Sequence, residues 1–243
     1  MKFDFDSSTP GISTLPSEAS LSLTGKLIDV KGAVNLGLSD TIAQQFGTLQ
    51  IDRAGFDALV LSSTGDLRFV SGPDLGGSFD AQLISSGDIL LRAAQVYPAT
   101  GVNARVQAGL VANDTYAADS HLVIERAEGS DLPQLPYSVF GNLTLGADTI
   151  EQNGVLRAPL GTLTLGTSTN QNFTGAVILG GNSVTSISAA GLVMPYGGTT
   201  DGVTYQYQGQ EVALHGVGST RQGTISLVGS NVDVKEGAFL DLS

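Results

Sequence analysis

Gly141-Asn-Leu-Thr-Leu145 is answered further along the chain by Gly161-Thr-Leu-Thr-Leu165. In each phrase a glycine precedes two apolar residues spaced two apart. Side chains alternate along a strand, so Leu163 and Leu165 share one face and Thr164 takes the other. The same phrase stands at Gly47-Thr-Leu-Gln-Ile51, Gly65-Asp-Leu-Arg-Phe69, Gly87-Asp-Ile-Leu-Leu91 and Gly223-Thr-Ile-Ser-Leu227. Three of the five gaps between successive glycines are nearly equal, and those from Gly87 to Gly141 and from Gly161 to Gly223 are much longer. Reading each long gap as about three units gives one repeat of about 20 residues, a solenoid period.

Between the phrases lie further short alternations, among them Leu21/Leu23, Ile28/Val30, Val34/Leu36, Leu59/Leu61, Val177/Leu179, Val232/Val234 and Leu240/Leu242. Gly, Asn, Asp and Ser punctuate them, which are strand and turn signals. A unit with two or three such strands cannot bury its own apolar face, so it must stack on copies of itself. Stacked turns of a coil lie about 4.8 Å apart, joined by parallel hydrogen bonds. The handedness of parallel connections favours a right-handed coil. The expected class is therefore all-β: a right-handed parallel β-helix, a solenoid of about 20 residues per turn, with extrahelical insertions. It predicts that Leu143, Leu145, Leu163, Leu165, Ile225 and Leu227 point inward. A sandwich or barrel would need many primed-turn dipeptides, yet Asn-Gly occurs only at Asn153-Gly154 and Asp-Gly only at Asp201-Gly202.

The 243 residues contain 32 Gly, no Trp and no Cys, so the core is built from aliphatic side chains and stability comes from repetition rather than disulfides. A formal charge of −12 would repel the phosphates of DNA and RNA. No apolar run reaches the roughly 20 residues of a membrane-spanning helix. Residues 1–20 lack the order of a signal peptide, so an export signal is expected outside this sequence.

The rhythm divides the chain into an edge or cap segment at 1–18, a β-helix over 19–187 with an irregular excursion near 112–139, an extrahelical insertion at 188–222, and a resumed helix at 223–243. Pro133 and Pro136 disfavour an interior strand and mark the excursion. The insertion carries Tyr196, Tyr205 and Tyr207, and Thr200-Asp-Gly-Val203 suits a hairpin turn. Insertions of a solenoid emerge as loops where binding tends to sit. These three tyrosines are the candidate partner-binding residues.

The stretch from Phe140-Gly-Asn-Leu-Thr-Leu145 through Gly154-Val-Leu-Arg-Ala-Pro-Leu-Gly-Thr-Leu-Thr-Leu165 resembles the large filamentous haemagglutinin-type adhesins of Gram-negative bacteria. So do Ala190-Gly-Leu-Val-Met-Pro-Tyr-Gly-Gly198 and the ending Val232-Asp-Val-Lys-Glu-Gly-Ala-Phe-Leu-Asp-Leu-Ser243. The likeness is strongest over 140–243 and weaker over 20–110. It implies a passenger of two-partner secretion, exported through a dedicated outer-membrane transporter and displayed at the bacterial cell surface or secreted. It also implies attachment to a host-cell or bacterial surface glycan or protein.

An enzymatic alternative is a carbohydrate-processing β-helix, a polysaccharide lyase or hydrolase with carboxylates arrayed along the shaft. Asp52, Asp57, Asp66, Asp80 and Asp88 are near enough in sequence to stack, but Asp is also a turn residue that caps its own backbone. His121 and His215 have no partner at metal-ligand spacing, and Gly-x-Ser-x-Gly is missing. Gly175-Ala-Val-Ile-Leu-Gly-Gly181 lacks the Lys-Ser/Thr of a phosphate loop and reads as a strand between turns. The triplets at Asn113, Asn142 and Asn172 fit glycosylation but suit Asn/Thr-rich turns equally. Asp4 and Asp6 fall short of a calcium site. The sequence therefore predicts no catalytic residue, no cofactor and no metal; the leading expectation is a structural and adhesive segment. A third reading is an inert stalk presenting a distal growth-inhibiting toxin.

Overall fold

The computed structural model describes residues 18–37, 40–44, 47–51, 55–72, 78–111, 115–129, 132–169, 172–192, 198–199, 205–207, 210–212 and 223–243; of these, 40–44, 47–51, 169, 172, 198–199, 205–207 and 210–212 are described by backbone alone. Residues 1–17 of the expected cap lie outside this set. Among the described residues there are strands and turns but no helix.

Three all-parallel sheets run along the molecule. The first contains Ser20–Gly25, Ala58–Ser63, Asp88–Ala93, His121–Arg126, Thr149–Asn153, Ala176–Leu179 and Asn231–Val234. The second contains Ile28–Lys31, Asp66–Val70, Gln95–Pro98, Val155–Arg157, Val184–Ser186 and Phe239–Asp241. The third contains Ala33–Leu36, Ala81–Ser85, Asn103–Gln107, Asn142–Gly146, Thr162–Leu165 and Thr224–Leu227. Except in one turn that skips the second sheet, the chain visits the faces in rotation, so strands pair with their counterparts in the next turn. This is a parallel β-helix.

Alternation places the core. In Ala58–Ser63 the inward residues Leu59, Leu61 and Ser63 are buried and those between are half-buried. Register then stacks like on like: Leu21, Leu59, Ile89, Leu122, Ile150, Val177 and Val232 form one ladder. On the third sheet Ala81, Ala104, Leu143, Leu163 and Ile225 form another. Leu143, Leu145, Leu163 and Leu165 are at most 1% exposed. Ile225 and Leu227 are only partly buried, because the third sheet ends on their strand.

Some ladder positions are polar, among them Thr185, between Leu156 and Leu240, and Gln152. Gln152 stacks between Ile124 and Leu179 with no exposure. It is satisfied locally: its Oε1 accepts from Gly154 N at 3.1 Å, and its Nε2 donates to Val184 O at 3.0 Å. The amide thus ties down Asn153-Gly154, which turns the chain from the first sheet to the second rather than closing a hairpin.

Glycine opens the repeated phrase for a steric reason. A Cβ on Gly161 would collide with Gly141 O in the turn below. At the corner the residues just before these glycines, Phe140 and Leu160, take left-handed φ values of 62° and 54°. Such strain in bulky residues persists only where packing holds it, and here Val139 and Phe140 pack against Leu160 and Leu192.

Three features depart from the sequence reading. Gly47–Ile51 is not a coil strand but pairs antiparallel with Asp40–Gln44. The whole stretch from Gly161 to Gly223 makes a single turn, since Leu163 pairs directly with Ile225. Turn length also varies: the path from Leu59 to its partner Ile89 is half as long again as that from Leu143 to Leu163. The repeat phrase marks any strand that follows a glycine corner, whichever face it enters.

Candidate functional site

Short antiparallel pairs interrupt the coil at 40–51, 110–116 and 168–173, and two larger interruptions create its candidate surfaces. The first falls in the turn that contributes His121–Arg126 and Asn142–Gly146. This turn supplies no strand to the second sheet, so Val96 of the preceding turn pairs with Leu156 of the following one. The chain instead passes outside as a strap containing Leu132-Pro-Gln-Leu-Pro136, where proline removes two backbone donors. Between strap and sheet lies a cleft of about 720 Å³, lined by Asp66, Arg68, Gln95 and Tyr97 on the sheet side and by residues 133–138 on the other.

Register builds the outer row from which Arg68 and Tyr97 line this cleft. Asp29, Arg68 and Tyr97 are successive rungs on the outer face. Because Val96 pairs with Leu156, Arg157 follows Tyr97, and then come Ser186 and Asp241. Arg68 donates through Nε and Nη2 to the two carboxylate oxygens of Asp29 at 2.7 and 2.8 Å. That two-point bond holds the guanidinium charged well beyond its ordinary range. Tyr97 donates its hydroxyl to Asp66 Oδ2 at 2.9 Å. Burial pushes the phenol pKa up, and the charge of Asp66 adds to the shift. Burial lowers the Arg157 pKa from its ordinary value.

The second interruption is the long turn between Thr162–Leu165 and Thr224–Leu227. It carries a three-stranded antiparallel hairpin: Gly198–Thr199 pairs with Tyr205–Tyr207, which pairs with Gln210–Val212. Tyr205 lies opposite Thr199 and Val212, and Tyr207 opposite Gln210. Tyr196 and the side chains of Tyr205 and Tyr207 lie outside the described residues.

The candidate carboxylates do not converge. Asp66 belongs to the second sheet and Asp88 to the first, while Asp57 and Asp80 precede strands on different faces. Asp52 and His215 lie outside the described residues. Several carboxylates cap the next turn: Asp80 Oδ2 accepts from Asn103 N and Asp88 Oδ1 from His121 N, both at 2.8 Å. Asp148 Oδ2 reaches the other way, accepting from Asp119 N of the preceding turn at 3.0 Å. His121 Nδ1 is 3.5 Å from Glu151 Oε1 on the outer first sheet. Among the described residues no three His, Cys, Asp or Glu gather in a metal-binding group.

Arg68, Gln95, Tyr97 and Arg157 were not singled out by the sequence. Their outward position is readable from alternation, but their meeting depends on which turns stack. No family profile, curated protein or solved structure matches the chain.

Proposed function

We propose that the chain is a shaft and adhesion segment of a large secreted bacterial surface protein. The stacked coil gives a stiff rod, and the 188–222 insertion attaches the parent protein to a host-cell or bacterial surface glycan or protein. Export of the parent through an outer-membrane transporter, and its place among filamentous haemagglutinin-type adhesins, belong to the same proposal. The observation that carries the reading is that a three-stranded antiparallel sheet is inserted in sequence between two coil strands that stay paired, Leu163 with Ile225. A rod that keeps its register while projecting such an element separates support from contact. Solenoid insertions are the usual place for binding, and tyrosines supply large amphipathic anchors.

The test is a cell-binding assay with the fluorescently labelled chain on bacterial and epithelial cells, comparing wild type with Tyr205→Ala/Tyr207→Ala. The proposal expects loss of binding in the double variant with an unchanged circular dichroism spectrum. Equal binding by both folded proteins rejects these anchors.

A further inference from the structure

The cleft beneath the 132–138 strap is a separate surface from the hairpin, and its chemistry is incomplete. Gln95 and Arg157 are only 3% and 7% exposed. Gln95 Oε1, an acceptor, and Arg157 Nε, a donor, nevertheless have no hydrogen-bond partner. Buried polar groups are almost always paired, so two orphans that each bond a carbonyl of the same strap need an explanation.

The strap satisfies only part of each side chain. Gln95 Nε2 donates to Gln134 O at 3.2 Å, and Arg157 Nη2 donates to Pro133 O at 3.4 Å. Both bonds use carbonyls of the strap, and a carbonyl cannot donate to Gln95 Oε1. Pro133 and Pro136 offer no N–H in its place. Further along, the strap is fixed firmly: Ser138 Oγ donates to Pro98 O at 2.6 Å, Gly101 N to Val139 O at 3.0 Å and Phe140 N to Pro159 O at 2.9 Å. Residues 132–136 are thus the weakly tied part, above an unsatisfied donor and acceptor.

We propose that this cleft binds a segment of neutral glycan held between the strap and the second sheet. The charges of the cleft define the class. The charged residues that line the cleft are Asp66 and Arg68, one of each sign, and Arg68 is already joined to Asp29 at two points. No surplus charge calls for an ionic ligand. A sugar hydroxyl both donates and accepts, so one can donate to Gln95 Oε1 in the cleft, and a lift of residues 132–136 would open Arg157 Nε, beneath Pro133, to another. At the rim Tyr137 is 83% exposed and lines the cleft, offering a ring face to the apolar side of a pyranose. An apolar wall with a few convergent polar groups is the general form of such sites.

The test is calorimetric titration of the full chain with maltotetraose, cellotetraose and chitotetraose as neutral probes and tetragalacturonate as the acidic probe. Wild type, Tyr137→Ala and the hairpin variant Tyr205→Ala/Tyr207→Ala are compared. The proposal expects at least one neutral probe to bind. It expects Tyr137→Ala to weaken that binding about tenfold or more, a loss readily resolved in the dissociation constant, and the hairpin variant to bind as wild type. It is overturned if no neutral probe binds, if tetragalacturonate binds more tightly than the neutral probes, if Tyr137→Ala binds as wild type, or if the hairpin variant alone loses binding. The last outcome would leave the hairpin as the contact site, so the two proposals fail separately.

Discussion

Val96 pairs with Leu156 across the second sheet, although a whole intervening turn of the coil contributes strands to the first and third sheets. The missing strand is the strap. One local departure therefore accounts for the direct pairing, the cleft, and the placing of Tyr97 and Arg157 on adjacent rungs.

The ladder residues set stability. Leu163 and Leu165 have no exposure, so Leu163→Ala or Leu165→Ala should each cost about 2–5 kcal/mol, by transfer loss plus cavity. The neighbouring outward Thr164→Ala should change stability by no more than about 0.5 kcal/mol. Urea denaturation of the three variants checks the contrast.

Gln152 tests whether the ladder or the corner governs that position. Leucine matches the aliphatic ladder, but it leaves Gly154 N and Val184 O without the amide that bonds them. Gln152→Leu should destabilise by about 1–3 kcal/mol, the cost of a buried polar group losing its partner. A neutral or stabilising result in urea denaturation would show that the corner does not need the amide.

The Tyr97 phenol gives a pH signature. Its folded-state pKa is raised, by burial first and by Asp66 second. The neutral form is therefore favoured by folding. The stability this contributes is complete below the unfolded tyrosine pKa of about 10 and is lost as pH rises through the higher folded value. The midpoint of urea unfolding should fall at alkaline pH in wild type, and less so in Tyr97→Phe. An ultraviolet titration should show a late-ionising tyrosine that disappears from the curve of that variant.

The strand edges predict association. Val232, Val234, Leu240 and Leu242 occupy the last turn and are 41%, 48%, 37% and 66% exposed. Unpaired parallel strands bearing apolar side chains template further pairing. Light scattering of the 243-residue chain should show its mass rising with concentration. Val234→Lys/Leu240→Lys should suppress the rise, and a strict wild-type monomer would mean that these edges are covered.

The inward residues were legible because strand alternation has a period of two, which local sequence displays. Leu143 and Leu163 could thus be placed together from their phrases alone. The number of turns was not legible. Gly47–Ile51 carries the same phrase yet forms an antiparallel hairpin, and the gap from Gly161 to Gly223 hides one turn rather than three. Pro133 and Pro136 mark the strap, but His121–Arg126, inside the expected 112–139 excursion, is a coil strand of the first sheet. The outer row beside the cleft was out of reach because Asp29, Arg68, Tyr97 and Arg157 come from different turns, and only three-dimensional register joins them.

The most direct test of the stacked coil uses the absence of native cysteine. Thr164 and Ser226 pair on the outer face of the third sheet although the entire hairpin-bearing insertion lies between them in sequence. Adjacent parallel strands lie about 4.8 Å apart, within the range a disulfide spans. Thr164→Cys/Ser226→Cys should form an intramolecular disulfide under mild oxidation, seen as a mass loss of about two hydrogens in the monomer. Thr144→Cys/Thr164→Cys, also paired, serves as the reference. Oxidation of both variants is the predicted result; a Thr164→Cys/Ser226→Cys protein that stays reduced while the reference pair oxidises would contradict the single-turn stacking on which the account rests.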